Sequence, residues 1–259
     1  MPVPVTMSDS AAELTEVFSS IQGEGLLIGL RQVFIRFHAC NLACAYCDTG
    51  MPGNAPAPEF CVMEKTPGRR NFFNAANPLA LDTVLLLLRE WQRDWPDIHH
   101  SISVTGGEPL LYVEILKQWL PELGSLLPIY LETNGTLHNA LSLVINHLEH
   151  IAMDIKLPST SGHDGLWEEH RLFLQIASQR KTVVKAVVSS ETPDSEIIKC
   201  CETIVSVDKN IPLILQPLTL LNDKPGISSL KTLELQEVAS RYLTEVRVIP
   251  QTHKFLGLL

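Results

Sequence analysis

The chain has 259 residues, of which 45% are hydrophobic and 19% are charged, the balance of a globular protein. A formal net charge of −9 argues against direct binding of nucleic acid, whose phosphates attract basic surfaces. No apolar stretch reaches the roughly 18–20 residues that span a bilayer, and no signal peptide is evident. We therefore predict a cytoplasmic protein with one domain over residues 1–259 and no membrane partner.

Short apolar runs alternate with segments of helical periodicity along most of the chain. The predicted strands are Gln32–Phe37, Ser101–Val104, Ile129–Glu132, His150–Asp154, Thr182–Val188, Leu213–Gln216 and Glu245–Ile249. The predicted helices are Leu79–Asp94, Pro109–Leu123, Leu137–His147, Leu166–Ser178, Asp194–Val205 and Leu230–Leu243. Strands that are apolar on both faces and alternate with helices indicate a parallel sheet. The pattern predicts an α/β fold, an incomplete (β/α) barrel.

One segment interrupts this alternation. Gly50–Asn77 is rich in Pro, Gly, Asn and Ala, and it follows a group of three cysteines. Long loops in compact domains are commonly lids or binding loops. We therefore interpret this segment as an inserted loop over the functional site.

The three cysteines form the pattern C-x3-C-x2-C, with Cys40, Cys44 and Cys47 directly after a predicted strand. Three thiolates on a short loop can hold three irons of a 4Fe–4S cluster and leave the fourth iron open for a ligand. A structural zinc site is the alternative, but zinc takes four protein ligands, and no fourth Cys or His lies at ordinary spacing. The spacing favours the cluster.

The other three cysteines are scattered along the chain. Cys61 lies in the insertion, and Cys200 and Cys201 follow an amphipathic run. Free cysteine usually behaves as a small hydrophobic residue, so we interpret this adjacent pair as part of a half-buried helix face.

A second motif strengthens the cluster interpretation. Thr105-Gly106-Gly107-Glu108-Pro109 follows the strand Ser101–Val104, and Tyr46 precedes the last clustered cysteine. Together with the cysteine triplet, these features resemble the radical S-adenosylmethionine superfamily. In that superfamily the glycine-containing turn meets the amino group of the methionine moiety.

Further motifs narrow the resemblance to one family. They are the segment Glu16 to Gly25, Phe34 to Phe37, Asp48-Thr49, Glu132 to Gly135, Asp154-Ile155-Lys156, Gln216-Pro217 and Gln251 to Lys254. Their order and spacing resemble the 7-carboxy-7-deazaguanine synthase family, from about Glu16 to Leu259.

This resemblance implies a reaction on the route to queuosine. An electron donor such as flavodoxin or ferredoxin reduces the cluster, and S-adenosylmethionine then yields a 5′-deoxyadenosyl radical. The radical abstracts hydrogen from C6 of 6-carboxy-5,6,7,8-tetrahydropterin, which contracts its ring and releases ammonia, as expected of a carbon–nitrogen lyase. The family also implies Mg²⁺ at the substrate and a homodimer.

The resemblance further implies the substrate-binding residues. They are Ile21, Gln22, Gly23, Glu24, Arg36, Thr105, His253 and Leu259. The planar guanidinium of Arg36 suits a substrate carboxylate, although a salt bridge at a strand end is its alternative role. Gln22 and Glu24 offer partners to a pterin edge, although Gly23-Glu24-Gly25 alone would suggest only a turn. His253 and the terminal Leu259 are expected to fold back to this site.

The implied contacts of S-adenosylmethionine are Tyr46, Asp48, Gly107, Glu108, Asp154, Ile155, Lys156 and Gln216. Relatives often carry Ser-Pro-Lys where this chain has Asp154-Ile155-Lys156. Thr49 is implied to bind Mg²⁺ through its hydroxyl, in keeping with the few protein oxygens that this ion takes.

Two alternatives remain at this stage. A glycyl-radical activating enzyme shares the cysteine spacing but would act on a protein backbone, and the Gln22–Gly25 turn and the C-terminal tail argue against it. A non-catalytic module with a structural metal is the second alternative, since a long insertion can recruit other proteins.

Overall fold

The computed structural model describes residues 11–47, 56–220 and 224–258. Its strands are β1 (Ala11–Ala12), β2 (Leu14–Ile21), β3 (Arg31–Phe37), β4 (Phe60–Glu64), β5 (Phe72–Ala76), β6 (Leu79–Ala80), β7 (Ser101–Gly106), β8 (Ile129–Thr133), β9 (His150–Asp154), β10 (Lys181–Val188), β11 (Leu213–Pro217) and β12 (Val246–Val248). Its α-helices are α1 (Leu81–Asp94), α2 (Val113–Gly124), α3 (His138–Val144), α4 (Pro158–Ser161), α5 (Trp167–Ala177), α6 (Asp194–Val205), α7 (Ser229–Ser240) and α8 (Thr252–Phe255). Short 3-10 turns cover Pro109–Tyr112 and Ile145–His147.

The main sheet has ten strands in the order β12-β11-β10-β9-β8-β7-β3-β2-β4-β5. The seven strands from β3 to β12 in this order are parallel, and they are the seven strands predicted from the sequence. The incomplete barrel is therefore confirmed. Functional groups are expected at the carboxyl ends of such strands.

Both faces of the central parallel strands are buried, as their composition predicts. Val184 and Val188 of β10 pack in the large core beneath the helices, whereas Val183 packs with Tyr130 and Ile214 on the other face. An outer helical layer therefore covers one face of the sheet, and the other face is left to form the interior of the barrel.

Helix α6 shows how the outer layer is fixed. Its N-terminal turn carries Asp194 and Glu196, which suit the positive end of the helix dipole. Cys200 and Cys201 are both fully buried in the core, so the helix face that we predicted to be half-buried is buried deeper than expected. Cys61, in β4, is also fully buried.

The prediction of an inserted loop over Gly50–Asn77 is wrong for much of the part that the structure describes, residues 56–77. Strands β4 and β5 form an antiparallel hairpin there, and β4 pairs with β2 at the sheet edge. The apolar residues Cys61 and Met63 of β4 are fully buried, which explains why the segment folds as strands. No residue of 56–77 lines the cavity described below.

Strand β2 was not predicted because polar residues interrupt its apolar pattern. Ser19 and Ser20 are nevertheless buried. The Ser19 hydroxyl lies 2.8 Å from His99 Nε2, and the Ser19 N–H donates to Glu64 at 3.0 Å. Tertiary partners thus satisfy groups that would otherwise disfavour a buried strand.

The predicted helices are confirmed, with some shifts of their ends. The segment predicted to start at Pro109 begins as a 3-10 turn, and the segment predicted to end at His147 finishes as one. Among the described residues, no helix has the length and apolar character needed to cross a membrane.

Candidate active site

A cavity opens where the carboxyl ends of the parallel strands meet the chain that follows them. Thirteen predicted site residues line it: Gln22, Glu24, Arg36, Cys40, Cys44, Tyr46, Cys47, Thr105, Gly107, Asp154, Lys156, Gln216 and His253. Ile21, Gly23, Glu108 and Ile155 were predicted but do not line it. Asp48, Thr49 and Leu259 lie outside the described residues. Tertiary structure thus gathers most of the predicted set.

The cysteine loop follows β3 at one side of the cavity. Cys40 and Cys44 are partly buried, and Cys47 is exposed. Burial raises the pKa of the Cys40 and Cys44 thiols. Metal binding must therefore displace their protons, and the affinity for iron should fall as pH falls.

Two backbone groups tie the cysteine loop to the segment that follows β9. The Ala45 N–H donates to Ser161 O at 3.0 Å, and the Ala43 N–H donates to His163 Nε2 at 3.2 Å. Asn134, after β8, donates to Asn41 Oδ1 at 2.8 Å and lies 3.7 Å from Cys40 Sγ. Amide groups near a cluster sulfur adjust its reduction potential.

Within the described ranges, no three His, Cys, Asp or Glu side chains surround a single ion-sized point. A cubane cluster differs from a single zinc ion, because each cysteine binds a different iron and the thiols can lie farther apart. The prediction of the cluster therefore continues to rest on the C-x3-C-x2-C spacing.

The two glycines at the end of β7 are required by the close approach of another part of the backbone. A Cβ on Gly106 would lie 2.1 Å from Phe37 O, and a Cβ on Gly107 would lie 1.8 Å from Ala39 O. Gly106 also has a φ of +125°, which disfavours other residues. The Glu108 N–H donates to Ala39 O at 2.8 Å. Glycine here lets the turn pack directly against the start of the cysteine loop.

Glu108 lies behind this turn and is fully buried. It accepts hydrogen bonds from Leu110 N, Thr133 Oγ1 and Asn134 N, at 3.1, 2.9 and 2.8 Å. Burial raises its pKa to about 7 despite these donors. Its side chain thus connects the two segments that flank the cysteine loop.

Lys156 connects the end of β9 to the cysteine loop. Its ammonium donates to Asp154 Oδ2 at 2.8 Å and to the Tyr46 hydroxyl at 3.2 Å. Burial opposes the charge, but Asp154, Tyr46 and Cys44 together outweigh burial, and the pKa of Lys156 is raised. Burial also raises the pKa of Tyr46 to about 12, so its hydroxyl stays protonated. The intervening Ile155 is fully buried and its N–H donates to Lys185 O at 2.8 Å.

A second side of the cavity is formed by the turn after β2. Gln22 Nε2 donates to Gln32 Oε1 at 2.9 Å and to Glu132 Oε1 at 2.7 Å, while Gln22 Oε1 accepts from Glu24 N at 3.0 Å. Glu24 accepts from Gln251 Nε2 at 2.8 Å and pairs with Lys185. The side chains of this turn are therefore oriented by the protein itself.

Arg36 and Thr105 complete this side. Arg36 Nε donates to Glu16 Oε2 at 2.9 Å, and its guanidinium lies 5.8 Å from the centre of the Phe18 ring. The predicted alternative, a strand-end salt bridge, is thus present, but it uses Nε and leaves the arginine lining the cavity. The Thr105 hydroxyl donates to Glu132 Oε2 at 3.1 Å.

The C-terminal tail returns to this turn, as expected. Thr252 N donates to Gly23 O at 3.0 Å, and a Cβ on Gly23 would lie 2.6 Å from His253 N. Gly23 is thus required by the close approach of the tail. Arg70 of the hairpin donates to Gly257 O at 2.6 Å. Leu258 N donates to His253 O at 2.8 Å, which turns the end of the chain back.

Of the further cavity residues that were not among the predicted contacts, three bond to Gln22 or Glu24: Glu132, Lys185 and Gln251. Glu132 and Gln251 belong to motifs quoted above, so their sequence context could have identified them. The signal for Lys185 is a charged residue in the middle of a strand that is otherwise apolar.

Residues 34–173 match the Radical SAM superfamily. The 7-carboxy-7-deazaguanine synthase of Geobacter sulfurreducens is 60% identical over 253 residues, which cover 98% of this chain and all of that protein. The chain belongs to the 7-carboxy-7-deazaguanine synthase family. The same synthase from Methanothermobacter thermautotrophicus is 33% identical, over 95% of this chain and 98% of that one.

Solved structures agree on the fold. The crystal structure of QueE from Escherichia coli has a TM-score of 0.57 at 19% identity and covers 93% of each chain. A radical SAM methyltransferase from Sphaerobacter thermophilus also has a TM-score of 0.57, at 12% identity, over 91% of this chain and 77% of that one. Membership of the superfamily implies a 4Fe–4S cluster and S-adenosylmethionine.

The described residues fit these cofactors. Besides the cysteines, Gln216 Oε1 and Asp154 Oδ1 are buried at the cavity and have no hydrogen-bond partner among the described residues. Buried polar atoms are normally paired, so each suits a hydroxyl or amino donor of a bound cofactor.

Proposed function

We propose that this chain converts 6-carboxy-5,6,7,8-tetrahydropterin to 7-carboxy-7-deazaguanine with release of ammonia, as a carbon–nitrogen lyase on the route to queuosine. The observation that carries the proposal is that Gln22, Glu24, Arg36 and His253 line the same cavity as the three cysteines. The 60% identity to a synthase of that name over 253 residues supports it.

On the cofactor side, Cys40, Cys44 and Cys47 would hold the 4Fe–4S cluster. The cluster with S-adenosylmethionine supplies a 5′-deoxyadenosyl radical when a donor such as flavodoxin or ferredoxin provides one electron. Gly107 offers backbone groups next to the cysteine loop, and Gln216 and Asp154 offer buried acceptors to the cofactor. Tyr46 and Lys156 form a bonded pair that fixes the wall between loop and strand. We assign Asp48 to the same cofactor.

On the substrate side, Arg36 would bind the carboxylate of the pterin, with its guanidinium held by Glu16 and Phe18. Glu24 and Gln22 would accept and donate hydrogen bonds at the amino-pyrimidinone edge of the pterin. Thr105 and His253 line the space between these groups. A pterin bound this way would present C6, next to its carboxylate, toward Arg36 of β3, the strand that leads into the cysteine loop.

Mg²⁺ and the chain terminus belong to the same proposal. Thr49 would contribute a hydroxyl to Mg²⁺, with substrate and water completing the octahedron. The return of the tail to Gly23 supports a contact of Leu259 with the substrate. A short C-terminal extension should therefore lower turnover, and undiminished turnover would exclude that contact.

We also propose that the protein is a homodimer. Phe60, Phe72 and Phe73 of the hairpin are each about two-fifths exposed, at 42%, 39% and 42%. Exposed aromatic groups at a sheet edge suit burial against a second copy. Light scattering on purified protein should give twice the mass of one chain, and a monomer mass would contradict the proposal.

The function is tested by anaerobic incubation of the reconstituted protein with reductant, S-adenosylmethionine, Mg²⁺ and 6-carboxytetrahydropterin. We expect 7-carboxy-7-deazaguanine and equal amounts of ammonia, with a rate that depends on Mg²⁺. Iron and inorganic sulfide should be present in near-equal amounts. Formation of 5′-deoxyadenosine without any deazaguanine would contradict the proposal.

A further inference from the structure

Lys185 is a buried lysine of β10 that the motifs of the sequence do not include. Its side chain is 11% exposed and lines the substrate side of the cavity. The ammonium pairs with Glu24 and lies 3.8 Å from Asp154 Oδ1. A buried charge is costly unless it has partners, so this position requires a reason.

The pairing fixes the direction of the Glu24 carboxylate. Its Oε2 contacts Lys185, its Oε1 accepts from Gln251 Nε2 at 2.8 Å, and its own N–H donates to Gln22 Oε1 at 3.0 Å. With both oxygens held, the carboxylate cannot rotate freely. It remains 15% exposed, toward the cavity.

The charges around this pair come from four elements. Glu132 and Tyr130 lie on β8, Asp154 on β9, Lys185 on β10 and His253 on the tail. Burial by itself raises the pKa of Glu24, but the charge and hydrogen bond of Lys185, with smaller contributions from Gln251 and His253, together outweigh burial and bring the pKa to about 2. Without the ammonium, Glu24 would share this space with Glu132 and with Asp154, which only Lys156 would then pair, and like charges favour protonation of a carboxylate.

The protonation state of Glu24 decides which ring it can accept. A carboxylate only accepts hydrogen bonds, whereas a protonated carboxyl group also donates one. The 2-amino group and ring N–H of a pterin are donors that match a carboxylate. A 2-oxo ring presents an oxygen there, which matches the protonated form instead.

We propose that Lys185 is a positioning residue that sets the specificity of the site for a 2-amino ring, by holding Glu24 as an oriented carboxylate. This inference rests on the proposed function, since it takes a pterin as the ligand of Glu24. It gives Lys185 a role in discriminating between a pterin, which carries a 2-amino group, and a lumazine, its 2-oxo counterpart.

The experiment measures equilibrium binding of 6-carboxypterin and of 6-carboxylumazine, its 2-oxo counterpart, to reconstituted protein with S-adenosylmethionine and no reductant. We expect wild type to prefer the pterin by about 100-fold or more, because a site built for a donor rejects a ring that lacks it. K185M should reduce this preference about tenfold or more, mainly by weakening pterin binding.

Two variants control for the loss of a charge. K185R should keep most of the preference, because it retains the cation. Lys181 lies on the same strand but is exposed and pairs with Glu149, so K181M should leave both affinities unchanged. E24Q, which preserves the size of the side chain, should lose the preference, and K185M should add little in the E24Q background.

A pH series adds a signature that simple loss of packing would not give. In K185M the pKa of Glu24 should be raised, so pterin binding relative to wild type should improve as pH rises from 5 to 8.

The outcomes separate the two proposals. Absence of deazaguanine product from wild type would overturn the proposed function, and this inference with it. Normal turnover by wild type, with an unchanged ring preference and pH profile in K185M, would overturn only the role of Lys185. If K185M does not fold, E24Q provides the test. Retention of the pterin preference by E24Q would also overturn the proposed role of Lys185.

Discussion

The two sides of the cavity hold their polar groups in different ways. On the substrate side, Gln22, Glu24 and Lys185 are bonded to one another or to neighbouring strands. On the cofactor side, the cysteines lie on a loop between β3 and β4 and are partly or fully exposed. The substrate side is therefore organised by folding alone, whereas we expect metal binding to complete the cofactor side.

The largest effect should come from the cofactor side. C44S should abolish cluster assembly and reduce turnover to background, because each thiolate holds one iron. Iron and sulfide content, together with visible absorbance, measure the loss. C201S is the matched control, since Cys201 is buried in α6 and does not line the cavity. Equal loss of iron in both variants would contradict the assignment of the cluster to Cys44.

On the substrate side, a smaller and different effect is expected. R36M should raise KM for the carboxypterin about 10- to 100-fold, the worth of a hydrogen-bonded charge pair, while cluster content stays normal. A substrate analogue without the carboxylate should be bound equally by wild type and R36M. E16Q keeps the arginine and should have a weaker effect. Loss of iron from R36M would contradict the claim that the substrate side and the cofactor side are organised separately.

The smallest effect is expected for His170, which lies behind the cofactor side of the cavity. His170 is fully buried, accepts from Lys156 N at 3.1 Å and lies 3.0 Å from Gly135 O. Burial lowers its pKa to about 4, so the folded protein keeps it neutral where the unfolded chain binds a proton. Stability should therefore fall as pH drops from about 6.5 to 4, by up to ~3 kcal/mol from this group.

Thermal melting across that pH range checks the prediction. H170Q should be less stable at pH 7, and the melting temperature should depend less steeply on pH than in wild type. H147Q changes an exposed histidine and should retain the wild-type slope. Parallel curves for H170Q and wild type would exclude His170 as the source.

Part of the site could be predicted because its signals are local in the sequence. The spacing of Cys40, Cys44 and Cys47 and the Gly106-Gly107 turn are short patterns, and both lie where strands end. Lys185 was missed because its role depends on a neighbour far along the chain: 161 residues separate Lys185 from Glu24. The need for glycine at position 23 could not be predicted either, because the tail that leaves no room for a side chain there comes from the other end of the chain.

The sequence by itself determined the seven parallel strands, the helices between them and the likeness to a radical enzyme family. It could do so because hydrophobic period and ligand spacing act over a few residues. Only the tertiary structure decided that 60–76 is a hairpin at the sheet edge and not a loop over the site. It also decided which charges meet around Glu24, because ion pairs between distant strands depend on register and burial. A local sequence pattern contains no information on register or burial.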